Sequence, residues 1–111
     1  YVNEYTTAEI KAAVDAAADY GTYVMTHVFN EVGVKRAIEA GVKTIEHGTY
    51  MSDETMDLMI THDVFMVPTI TAGKEVAEKA TIKGFYPDIV VPKALAVGPQ
   101  IQGTFSKAYK K

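Results

Sequence analysis

The sequence contains no cysteine. That absence removes disulfides, thiolate metal sites and cysteine nucleophiles together, and it leaves the compartment open. Long apolar runs are missing too. Nothing approaches the roughly 18 consecutive apolar residues of a membrane-crossing helix, and the first residues do not form a signal-peptide pattern. These absences predict a soluble chain with no membrane partner, for which the cytoplasm is one permitted location. Positive charge is also short: 11 Lys and Arg against 14 Asp and Glu leave a net charge of −3. No basic stripe exists that could release counterions from phosphates, so a nucleic-acid partner is excluded. Lys107, Lys110 and Lys111 gather at the end of the chain, where they suit the negative end of a helix dipole. No G-x-S-x-G elbow, P-loop or G-x-G-x-x-G follows a strand-like run, and neither Ser52 nor Ser106 has a base partner legible in the sequence.

What is present describes one ordinary globular domain. The chain has 111 residues, 48% of them hydrophobic and 23% charged, with no linker or low-complexity tract, so residues 1–111 read as a single unit. It begins at Tyr1 and not at a methionine, which fits a segment of a longer chain. Thr6-Thr7-Ala8-Glu9 has the form of a capping box, and the helix after it places Ile10, Ala13, Val14 and Ala17 on one face before Gly21. Tyr23 to Phe29 is a short apolar run without clean alternation, as expected of a parallel strand buried on both faces. The same grammar recurs twice. Asn30 caps a helix with Val34, Ala37 and Ile38 that stops at Gly41, and a strand follows from Val42 to Ile45. Ser52 caps a helix carrying Met56, Leu58, Met59 and Ile60, and a third strand, Val64 to Thr69, ends at Pro68. Later the signal weakens: a helix over Glu75 to Lys83, a loop over Gly84 to Pro92, then a helix broken at Gly98-Pro99.

Helix and strand in alternation mark βαβ units and a parallel sheet. Functional groups in such sheets collect at the C-terminal strand ends. His27 and His47 each occupy such an end, one βα unit apart. Neighbouring strands lie about 4.8 Å apart, so two imidazoles on one face can share a metal ion. Strict alternation puts His27 on the face of Met25 and Tyr23 and His47 on the face of Ile45, with Glu46 turned away from His47 toward a lysine or a helix cap. Taken alone, a strand-end histidine equally reads as a polar group bonded to a nearby carbonyl. His62 reads as a solvated turn residue.

The stretches TTAEIKAAVDAAADYGTYVMTH and GVKRAIEAGVKTIEHGTYMSDETMDLMITHDVFMVPT resemble the amidohydrolase superfamily, most closely its imidazolonepropionase-like and Xaa-Pro dipeptidase-like branch. The resemblance covers about residues 4–70, and QGTFSKAYKK is similar to the helix before the family's last strand. It implies an α/β fold, a partial (β/α)8 TIM barrel of about three parallel strands with flanking helices, corresponding to strands five to seven. It also implies a metal-dependent hydrolase of C–N bonds in an amide, peptide or cyclic amide. The cofactor would be a divalent metal, zinc, binuclear in the family, with His27 and His47 matching the ligands on strands five and six. The partner would be a small-molecule amide or dipeptide.

The family's H-x-H, its fourth-strand lysine and its G-T-D aspartate have no counterpart in these residues, so no catalytic base is assigned and substrate-binding residues stay unknown. Phe29 stands where many relatives carry a polar or aromatic residue. A complete barrel needs about 250 residues, so the expectation is a piece that is inactive alone. With sheet edges and an inner face unpaired, it should associate with itself or with the rest of a barrel. The alternative is a small α/β binding or assembly module whose histidines are structural.

Overall fold

The starts of the first three helices follow the side-chain oxygens that the sequence supplies. The computed structural model describes residues 3–111, with elements in the order α1 (Thr7–Asp19), β1 (Met25–Val28), α2 (Glu31–Ala40), β2 (Thr44–His47), α3 (Asp53–Thr61), β3 (Phe65–Val67), α4 (Ile70–Ala80) and α5 (Val91–Ala108). Before α1 the capping box is complete: Thr6 N–H donates to the Glu9 carboxylate at 2.7 Å, and Glu9 N–H donates to Thr6 Oγ1 at 3.3 Å. Asn30 and Ser52 accept in the same way from Gly33 N–H and Thr55 N–H, at 2.8 and 3.3 Å. Each such cap contributes about 1 kcal/mol. The α2 N-cap region is tied to that of α3, because the Ser52 hydroxyl and the Thr55 hydroxyl both donate to the Glu31 carboxylate, the latter at 2.7 Å. These two bonds hold the Glu31 carboxyl below the usual range. Ser52 is therefore a structural cap.

The three strands pair in parallel in the order β1-β2-β3, with Thr26 opposite Ile45 and Ile45 opposite Met66. Helices cover one face of this sheet. There Ile45, Val34, Ala37, Ile38, Val42 and Met59 form the core, and Ile10 and Val14 of α1 pack against it. On the other face the two outer strands are bare: Met25 is 57% exposed, Phe65 63% and Val67 40%. The expectation of strands buried on both faces thus holds for one face. A barrel interior is filled by residues from all its strands, and three strands cannot fill it. Ile60, one of the apolar residues that α3 carries, is exposed.

The second half departs further from the sequence reading. Helix α4 begins at Ile70, five residues before the expected start, and α5 runs unbroken through Gly98-Pro99. Tertiary contact explains the continuity. A Cβ on Gly98 would stand 2.8 Å from the Gly73 carbonyl oxygen of α4, so the two helices meet at a pair of glycines. Pro99 removes the hydrogen bond to the Leu95 carbonyl, but Leu95 and Pro99 are both exposed, where water can take its place.

Candidate functional site

His27 and His47 meet at the C-terminal end of the sheet. Nδ1 of His27 lies 2.9 Å from Nε2 of His47, with ring centroids 5.0 Å apart. Register alone does not bring them together. His27 pairs with Glu46 and Val28 with His47, and paired residues in a sheet share a face, so alternation would put His47 on the helix-covered side with Ile45. The backbone decides otherwise. His47 has φ 75°, a left-handed conformation that takes it out of the strand's alternation, and Gly48 follows at φ 55°. For a non-glycine residue such a φ costs on the order of 1–3 kcal/mol. A side chain at Gly48 would also press on Met51 and Ile45, at 3.1 and 3.3 Å from its Cβ. The Gly48 N–H donates to the Val28 carbonyl at 3.0 Å, so the chain stays attached to β1 as it turns.

Two further groups hold the His47 ring. Phe29 stacks on it, 4.7 Å between centroids and 10° between planes. Thr69, just after β3, places Oγ1 2.6 Å from His47 Nδ1. Burial depresses the His47 pKa, the charge of His27 adds to that, and the Glu46 carboxylate opposes both. The imidazole is thus kept neutral near pH 7, the form that binds metals. Thr69 is the site residue that sequence reading missed. It was visible only as the end of a strand, because its partner lies 22 residues away on another strand.

Glu46 is 8% exposed and sits in register between His27 and Val67. It makes no ion pair with another described residue and caps no helix, so the partners expected of it are not those found. His62 is the exposed C-cap of α3, as its turn reading requires.

The donor set can be tested against a metal ion. Two nitrogens bound to one tetrahedral zinc at about 2.05 Å stand about 3.3 Å apart. The 2.9 Å separation of the two histidine nitrogens needs only a few tenths of an ångström of widening. These residues fit two of the positions around such an ion, and among the described residues no cluster of three or more His, Asp, Glu or Cys supplies the rest. Beside His47 a cavity of about 380 Å³ opens between the strand ends and α4 and α5, lined by Phe29, Thr69, Val76, Tyr86, Lys93 and Ile101. Its size is that of a small-molecule site and its wall is mostly apolar.

The pattern of the Amidohydrolase family matches residues 2–100. An uncharacterised protein of Mycobacterium tuberculosis is 40% identical over 78 residues, 70% of this chain and 21% of that protein. The ochratoxinase of Aspergillus niger is 33% identical over 66 residues, 60% of this chain and 14% of its own. Among solved structures, a Xaa-Pro dipeptidase with methionine bound in its active site superposes with a TM-score of 0.90 at 56% identity, covering 96% of this chain and 26% of the dipeptidase. A prolidase complexed with N-methylphosphonate-L-proline gives a TM-score of 0.84 at 32% identity over 96% of this chain and 26% of its own. The chain therefore spans about a quarter of the length of these solved relatives. Its three parallel strands and flanking helices are part of a TIM barrel, and the chain belongs to the amidohydrolase family.

Proposed function

We propose that these residues form part of the active site of a metal-dependent hydrolase that cleaves an amide C–N bond. His27 through Nδ1 and His47 through Nε2 contribute two ligands to one zinc ion. The observation that carries this reading is the approach of those two nitrogens to 2.9 Å at the strand ends, achieved through a left-handed His47. When bound, the metal supplies Lewis acidity and lowers the pKa of a water molecule toward neutrality.

The chain's own residues do the rest of what they can. Phe29 and Thr69 fix the His47 ring, and the mostly apolar cavity beside it takes an uncharged portion of a small amide or dipeptide. The relatives named as dipeptidase, prolidase and ochratoxinase support that substrate class. Among the described residues no group is placed to act as the general base. The reading is therefore of one piece, residues 1–111, of a longer barrel domain, inactive by itself, whose remaining strands cover the bare face of Met25, Phe65 and Val67. Zinc titration of the chain against a competing chromophoric chelator tests the assignment. Zinc is expected to bind, and both His27→Ala and His47→Ala to abolish binding. A chain that binds no zinc, or binds it equally after both substitutions, refutes it.

A further inference from the structure

Thr69 is an unusual residue for its place. It is the N-cap of α4, yet its side chain makes no capping bond, and its backbone is left-handed at φ 52°, ψ 39°. An N-cap threonine ordinarily sits in the extended region and gives its oxygen to an N–H of the first turn. A β-branched residue is also among the least tolerant of a left-handed φ. Thr69 forgoes a cap and accepts strain, and its hydroxyl is directed elsewhere.

A hydroxyl has one proton to give. Thr69 Oγ1 donates it to the Pro68 carbonyl at 2.7 Å. Toward His47 Nδ1, 2.6 Å away, the same oxygen can then only accept. With its proton so placed, the Thr69 hydroxyl pairs with the His47 tautomer that carries hydrogen on Nδ1. Its Nε2 is then an acceptor, and in the metal-free chain it takes a hydrogen bond from His27 Nδ1–H at 2.9 Å, a proton that a metal ion between the two nitrogens would displace. Neutral histidine in water prefers the other tautomer, whose Nε2–H would point into the space between the two rings. Both ends of the Thr69–His47 bond are held at positive φ, and backbone strain that persists at two bonded residues marks a position over-determined by its surroundings.

We infer that Thr69 is the positioning residue of this site, selecting the Nδ1–H tautomer of His47 and so presenting Nε2 to a metal ion. The metal part rests on the function proposed above; the tautomer part does not. Three variants separate positioning from simple packing. Thr69→Ser keeps the hydroxyl. Thr69→Val keeps the shape without it. Thr69→Gly removes both side chain and strain.

Zinc affinity, measured by chelator competition, is expected to be near that of the wild type in Thr69→Ser and to fall about 10- to 100-fold in Thr69→Val and Thr69→Gly, the usual range for losing an outer partner of a ligating histidine. Thr69→Gly is expected to melt no lower than the wild type, since glycine relieves the left-handed φ. Imidazole 15N spectra of the metal-free chain should show His47 protonated on Nδ1 in the wild type and Thr69→Ser, and shifted toward Nε2–H in the other two. Unchanged zinc affinity and an unchanged Nδ1–H signature in Thr69→Val and Thr69→Gly would overturn the inference. A wild type that binds no zinc sinks the metal reading, while the nitrogen spectra still decide the role of Thr69.

Discussion

Replacing Gly98 with Ala sets two effects of opposite sign against each other on one helix. In a helix interior, alanine is favoured over glycine by about 1 kcal/mol. Against that gain, the new Cβ would lie 2.8 Å from the Gly73 carbonyl oxygen and 3.0 Å from Ala77 Cβ. The nearest atom is backbone, which cannot swing aside as the end of a long side chain can. Relief requires α5 to move away from α4, and overpacking of this kind costs about 1–3 kcal/mol. The steric cost should win, leaving Gly98→Ala destabilised by about 1 kcal/mol net. Gly103 is the internal control. It lies on α5, is exposed, and a Cβ there would meet nothing within 4 Å. Gly103→Ala should gain about 1 kcal/mol unopposed, so the two variants differ by about 2 kcal/mol. Urea denaturation followed by far-ultraviolet circular dichroism measures both against the wild type. If Gly98→Ala were as stable as Gly103→Ala, the glycine contact would not govern how α5 docks. The reason given for its continuity past Pro99 would then fall with it.

Ile45 is fully buried at the centre of β2, and Ile45→Ala should cost about 2–5 kcal/mol in the same assay; a loss below 1 kcal/mol would mean that the site collapses around the smaller side chain. The Glu31 carboxyl is held below its ordinary value of 4.5 by the Ser52 and Thr55 hydroxyls. A depressed folded-state pKa gives stability that is present above the unfolded value and lost as pH falls through the folded one. The urea midpoint of the wild type should therefore drop more steeply than that of Glu31→Gln as pH falls from about 5 toward 3, and parallel curves would refute the coupling. The bare sheet face predicts association of the chain, read as a rise in sedimentation coefficient with concentration and reduced by Phe65→Lys. A monodisperse wild-type monomer with a cooperative melt would contradict it.

Much of the fold was legible in the sequence because its signals are local. Thr6, Asn30 and Ser52 cap the helices they precede, since a cap is formed with a backbone N–H three residues on. Gly41 is left-handed after α2 and β3 stops before Pro68 for reasons carried by one residue each. The two histidines could be placed at strand ends on the same grounds, and the resemblance to amidohydrolases paired them.

The tertiary structure decided the rest, because it depends on groups far apart in the chain. Alternation assigned His47 to the wrong face. Only the assembled strand ends show the left-handed turn that brings its ring to His27, 20 residues away. The passage of α5 through Gly98-Pro99 could not be read from propensities, which favour a break, because the opposing contribution is the approach of Gly73 on another helix. Thr69 looked like the end of a strand. Its partner and its strain both arise where β3 is laid beside β2 and one hydroxyl comes within reach of one ring nitrogen.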